Sequence, residues 1–284
     1  MKTILCAVDF SLCSENAAAY AMELSRDLNS RLILIHVFKS PFVHSEASYI
    51  MTNEVVDAQM QNAQDSIESL KLKLLSRDPS QNIETVTVEG FASEKIVAYS
   101  QKENASLVIM GTTGKGITKR LLVGSTAMQV ISRSRKPVLF IPNGKKYEGL
   151  KRIVFATDLE EDNLNAAKSI VAFAKYFKSE ICFLYVDGDE KIHSDSEVLE
   201  MTRKIRDTIK YSSMSGYICA DKDIADGIEH FLEVFPADLL VMFTHQEHFP
   251  KSLLKPSSTK KVALQTTLPL LTLPVDSPVL VGVL

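Results

Sequence analysis

Short, unbroken apolar runs alternate along this chain with longer stretches in which apolar residues recur every three or four positions. Lys2 to Val8 is a β-rich run that ends at Asp9, and Ser11 to Asn29 then places Ala17, Ala18, Ala21, Met22, Leu24, Ser25 and Leu28 at helical spacing. Arg31 to Phe38 is a second apolar run, followed by a loop containing Pro41 and a charged helical stretch from Ala47 to Leu75. Ile83 to Val88 alternates as a third strand, Ala92 to Glu103 is helical, and Leu107 to Gly111 is a fourth strand. Gly124 to Ser134 reads as a helix that leads through Pro137 into a last strand, Val138 to Ile141. Continuous apolar runs suit strands buried on both faces. Five of them alternating with four helices predict right-handed crossovers onto one parallel sheet, with helices on both sides.

After the polar stretch Asn143 to Gly149 the pattern begins again. Lys151-Arg-Ile-Val-Phe-Ala-Thr-Asp158 mirrors Lys2-Thr-Ile-Leu-Cys-Ala-Val-Asp9, and Tyr185-Val186 mirrors His36-Val37, both 149 positions further on. Later the offset falls to 132, with Met242 under Met110, Val262 under Val130, Pro269 under Pro137 and Pro274 under Pro142. The missing residues come from the middle, where the second long helix, expected from Ser194 to Met214, is shorter. Two copies of one domain therefore lie in tandem, over residues 1–144 and 150–284.

The stretch that carries chemistry follows the fourth strand. Met110-Gly111-x2-Gly114-x9-Gly124-Ser125-Thr126 is a glycine-punctuated loop opening into a helix. Glycines permit a sharp turn and close backbone approach, and the free amides of a helix start attract anions. Taken alone, the loop reads equally well as a phosphate cradle or as a plain turn. It is neither Gly-x-Gly-x-x-Gly nor a Walker loop, since Ile117 follows Gly116. Asp9, Val37 and Gly111 all fall at carboxyl ends of predicted strands, where ligands of such sheets sit. Asp9 could equally cap the helix beginning near Ser11 to Ser14. Lys115, Lys119 and Arg120 are either phosphate partners or a solvated charge run, and His36 reads as a structural histidine, not a base. In the second copy Phe243, Gln246 and Pro256 stand in the glycine positions, and Pro256 also lacks an N–H. His245 and His248 lack a third nearby ligand for zinc.

Composition narrows the field further. With 45% hydrophobic and 24% charged residues the chain is globular, and a formal charge of −3 with a pI near 6.1 offers no broad basic surface for nucleic acid. Cys6, Cys13, Cys182 and Cys219 form no Cys-x-x-Cys pair and sit mostly in apolar runs, as buried reduced thiols do. No apolar stretch approaches membrane-spanning length, and the start of the chain lacks a signal-like segment. The expectation is a cytoplasmic protein with no membrane partner.

The strand-end Asp, the His-Val that closes the second strand, the Met-Gly-x2-Gly-x9-Gly-Ser-Thr loop and the final strand closed by Ile-Pro together resemble a tandem universal stress protein, over nearly the whole chain. The resemblance implies two flavodoxin-like α/β domains of the adenine nucleotide alpha hydrolase type, paired within one chain. It also implies that Asp9 and Val37 contact the nucleoside, that Gly111, Gly114, Gly124, Ser125 and Thr126 contact ribose and phosphates, and that Met110 lines the pocket. The expected ligand is ATP or another adenine nucleotide, with Mg²⁺ on its phosphates, bound in the first half only. No catalytic residue is assigned; slow ATP hydrolysis, an adenylating activity and a nucleotide-independent interaction scaffold are the alternatives. Homodimer formation stays open. The two last strands, Val138 to Ile141 and Leu270 to Leu273, are expected to pair, and the apolar tail Val275 to Leu284 to dock on the protein or on a partner.

Overall fold

The computed structural model describes residues 2–39, 53–112, 125–157, 163–187, 195–221, 223–244, 262 and 266–274. Its strands are β1 (Thr3–Val8), β2 (Arg31–Phe38), β3 (Ile83–Glu89), β4 (Leu107–Gly111), β5 (Val138–Ile141), β6 (Arg152–Ala156), β7 (Glu180–Asp187), β8 (Met214–Ala220), β9 (Leu239–Thr244) and β10 (Leu270–Pro274). The helices are α1 (Leu12–Asp27), α2 (Asn53–Leu75), α3 (Ala92–Lys102), α4 (Ser125–Arg133), α5 (Asn163–Phe177), α6 (Asp195–Ile209) and α7 (Ile224–Val234).

All six residues of β1 and all four of β5 are buried, so neither strand shows the in-out alternation of a half-exposed sheet. The strands form one ten-stranded sheet in the order β3-β2-β1-β4-β5-β10-β9-β6-β7-β8. Every neighbouring pair is parallel except β5 and β10, which run antiparallel with Leu270 opposite Phe140, Leu271 opposite Leu139 and Thr272 opposite Val138. The carboxyl ends of the first five strands consequently point one way, and those of the second five point the other.

Two apolar layers sandwich this sheet. One joins α1, α2 and α5 to the strand residues Ile4, Leu34, Ile109, Phe155 and Phe183. The other joins α3, α4 and α7 to Leu5, Ile35, Phe140, Val154 and Leu240. Each layer contains residues from both halves, so the core runs through the seam without a break.

Helix ends are set by local chemistry. Ser11 caps α1, and Asn29 takes a left-handed φ of 47° just past its end, a conformation asparagine accepts readily. Lys178 does the same after α5 with φ 56°, at the position that mirrors Asn29.

Two sequence expectations change. The helix expected from Ser194 to Met214 ends at Ile209, because Lys210 turns left-handed at φ 52° and Met214 already belongs to β8. The stretch Asn143 to Gly149, read as a polar connection, holds a buried tyrosine. Tyr147 packs edge-on against Tyr20 with centroids 5.1 Å apart and donates its hydroxyl to Asp27 Oδ2 at 2.8 Å. Asn16 Nδ2 holds the same stretch through the carbonyls of Pro142 (3.3 Å) and Lys145 (2.9 Å). Across the seam Tyr176 donates to the Asp27 carbonyl at 2.7 Å, fastening α5 to the end of α1. The start of the long helix before Asn53 and the tail after Pro274 lie outside the described residues. No described helix is long and apolar enough to cross a membrane.

Candidate functional site

The strand order places β1 between β2 and β4, so the chain leaves the sheet on opposite sides of the β1–β4 boundary, the place where ligands of such sheets generally sit. Asp9 follows β1 directly. Its Oδ1 accepts from the Ser11 amide at 3.1 Å and from the Ser11 hydroxyl at 2.6 Å. Ser11 in turn accepts from the Ser14 amide at 3.2 Å, and Ser14 Oγ accepts from the Asp9 amide at 3.2 Å. The helix cap is therefore Ser11, and Asp9 holds the cap in place. Phe10, between them, adopts a left-handed φ of 60°, and its ring lies 4.4 Å from that of His36. Sequence reading passed over Phe10, since nothing in its surroundings marks a left-handed phenylalanine.

Gly111 closes β4 beneath the first turn of α1. A Cβ there would come within 2.8 Å of Cys13 Sγ and 3.1 Å of the Cys13 carbonyl carbon. Gly111 has no positive φ, so close packing of α1 is what excludes a side chain. Cys13 Sγ also donates to the Ile141 carbonyl at 3.5 Å, and the Thr112 amide bonds to the same oxygen at 3.1 Å. The first turn of α1 thus ties the ends of β1, β4 and β5 together, which brings Asp9 and Gly111 to one place.

Met110 is buried, and Val37 is half-buried opposite Val88, both against the layer of α3 and α4. Ser125 and Thr126 open α4, with Ser125 exposed and Thr126 half-buried. Ser93, in the first turn of α3, donates to Gln129 Oε1 at 2.7 Å, so the two helices stand together over this edge. Gly114 and Gly124, with Lys115, Lys119 and Arg120 between them, lie outside the described residues. His36 Nδ1 donates to the Val8 carbonyl at 2.8 Å, the partner expected of a structural histidine. Among the described residues no group of three His, Cys, Asp or Glu side chains converges to hold a metal ion. Burial pushes the Cys6 and Cys182 thiols up to about 12, the latter with a contribution from Glu180, so both stay protonated near neutrality.

The corresponding edge of the second half is built differently. Phe243, at the position of Gly111, turns its ring into edge-on contact with Phe155, centroids 5.1 Å apart, on the side of α5. The ring therefore fills the core side of the strand. Met242 is buried like Met110. Gly227 on α7 lets that helix press on Val186, whose Cγ1 would be 2.6 Å from an added Cβ. Asp223 caps α7 by accepting from the Ala225 amide at 2.9 Å, while α3 begins at Phe91 with no side-chain cap. Asp158, His245, Gln246, His248 and Pro256 lie outside the described residues.

Comparison with known proteins gives this arrangement a context. The model of the universal stress protein family matches the chain twice, over residues 1–142 and 149–274. A universal stress protein of Methanocaldococcus jannaschii is 32% identical over 148 residues, covering 51% of this chain and 84% of that protein. A second from the same organism is 27% identical over 154 residues, covering 49% of this chain and 94% of its own length. Among solved structures, a universal stress protein from Archaeoglobus fulgidus superposes with a TM-score of 0.77 at 17% identity, over 96% of this chain and 98% of that one, a likeness of fold.

Proposed function

The chain belongs to the universal stress protein family, and from that premise we propose that it is a cytoplasmic stress-response protein that binds ATP or another adenine nucleotide in its first half alone. In this reading residues 1–144 form the binding domain, and residues 150–284 form a non-binding domain paired with it inside one chain. The observation that carries the proposal is the meeting of Asp9, Val37, Met110 and Gly111 at one strand edge, beside a helix that opens at Ser125. Asp9 is the hydrogen-bond acceptor for the nucleoside end and Val37 offers backbone groups beside it. Met110 supplies an apolar wall, and Gly111, Gly114, Gly124, Ser125 and Thr126 cradle ribose and phosphates. Mg²⁺ would arrive with the phosphates, since the described residues do not converge on a metal by themselves.

The second half supports the asymmetry by what it carries instead: Phe243 for Gly111, Gln246 for Gly114 and Pro256 for Gly124. Calorimetric titration of the full chain with ATP should give at most one site per chain. Gly114→Val should abolish that binding and Asp158→Ala should leave it intact. Two equivalent sites would overturn the asymmetry, and no binding at all would favour a nucleotide-independent scaffold.

A further inference from the structure

Among the described residues the sheet ends at β3 on one side and at β8 on the other, and the two edges are finished differently. Leu32 pairs with Ile83, and its counterpart Ile181 pairs with Met214, so β3 and β8 align residue for residue. Glu84 and Glu89 of β3 then correspond to Ser215 and Ala220, and Val86 corresponds to Tyr217. Beside β3, Arg31 bridges Glu84 at 3.3 Å and Glu103 at 2.9 Å, while Lys102 sets its ammonium 5.3 Å from the centre of the Tyr99 ring. Charged side chains of this kind keep an edge strand from pairing with another chain.

The β8 edge has lost that fence. The strand itself, Met214-Ser-Gly-Tyr-Ile-Cys-Ala220, carries no charged residue. Helices α3 and α7, 11 residues each, align as their strands do, and Val234 and Phe235 stand where the first half has Lys102 and Glu103. Tyr217, 41% exposed, lies against Phe231 and Phe235 with centroids 5.5 and 5.6 Å away, and those two rings stack at 5.1 Å. Val234 is 81% exposed. Its counterpart Lys102 is half a turn round the helix from Ser93, the residue that bonds to α4, so Val234 stands on the outer side of α7.

We propose that β8 and the outer side of α7 form an interface between two copies of this chain, which join edge to edge into one continuous sheet. The Ser213 carbonyl accepts from the Ile181 amide at 2.9 Å. Alternate residues of a parallel ladder face the same neighbour, so Met214, Gly216, Ile218 and Ala220 turn their backbone groups outward. A second β8 running antiparallel, on a two-fold axis at Tyr217, brings Met214 opposite Ala220 and Gly216 opposite Ile218, outward groups meeting outward groups. Tyr217 meets its own copy in a non-hydrogen-bonded pair, where side chains approach more closely and aromatic rings attract. The same axis lays Lys210, exposed before one β8, beside Asp221 and Asp223, which follow the other. Helix α7 packs on β7 and β8, so the two α7 helices come to lie about two strand spacings apart, roughly the 10 Å at which helices pack. The chain already joins its own halves in this manner, since β5 and β10 hold equivalent places and run antiparallel.

Sedimentation velocity of the full chain should show one-chain and two-chain species, the latter growing with concentration. Tyr217→Glu sets two like charges on the axis and should weaken association by at least about tenfold, with the circular dichroism spectrum unchanged. Lys210→Glu should weaken it by about threefold at low salt and by less at high salt. Ser215→Cys tests the register. Opposite it stands Cys219 of the second copy, in a non-hydrogen-bonded pair whose Cα atoms are about 4.5 Å apart, within disulfide range. An added oxidant should cross-link this variant into dimers on a non-reducing gel, and Ser215→Cys combined with Cys219→Ala should stay uncross-linked. A single chain at every concentration would overturn the proposal. So would a dimer that survives Tyr217→Glu and gives no cross-link in Ser215→Cys, since its interface lies elsewhere.

Discussion

Gly111 serves the packing of the protein before it serves any ligand. Because an added methyl group would meet Cys13 at 2.8 Å and its backbone at 3.1 Å, Gly111→Ala must push back the first turn of α1. Overpacking of this kind costs about 1–3 kcal/mol. Urea unfolding of the ligand-free variant should show that loss; unchanged stability without ligand would mean that the glycine matters only to binding. The spacing of the loop drew attention to Gly111, but the reason for it was invisible, since Cys13 lies far away in sequence and meets Gly111 only when β1 and β4 pair. Asp9 has a similar history. Its place at a strand end was legible, whereas its bonds to the Ser11 amide and hydroxyl depended on the left-handed turn at Phe10.

Strands and helices were the most legible features, because a run such as Leu32 to Ile35 can only be satisfied by burial on both faces. The connection between the halves was the least legible. Lysines and glycines at Gly144, Lys145, Lys146 and Gly149 suggested a solvated link and hid Tyr147, whose ring and hydroxyl find partners in α1, well over a hundred residues earlier. Tyr147→Phe should lose about 1 kcal/mol through the missing bond to Asp27. Tyr147→Ala should lose about 3 kcal/mol or more, since it also empties an aromatic site at the seam. Chemical denaturation followed by circular dichroism would measure both. Equal, negligible effects would mean that the linker merely rests on α1.

The ten-stranded sheet depends on β5 and β10 covering one another. Residues 1–144 expressed alone would expose the edge of β5, whose four residues Val138 to Ile141 are all buried in the full chain. That fragment should dimerise or aggregate, and a stable monomer in dilute solution by light scattering would count against it. The antiparallel seam has a further consequence. Because the carboxyl ends of the two strand sets point in opposite directions, Gly111 at the end of β4 and Phe243 near the end of β9 stand at opposite edges of the sheet. After a duplication that produced such a tandem, substitutions at one end of the sheet would carry no steric penalty at the other. The shared core would restrain both copies while each outer edge drifted by itself. Divergence of a Gly111 from a Phe243 is a history this geometry leaves open, and a side-by-side arrangement of the two strand edges would have closed it.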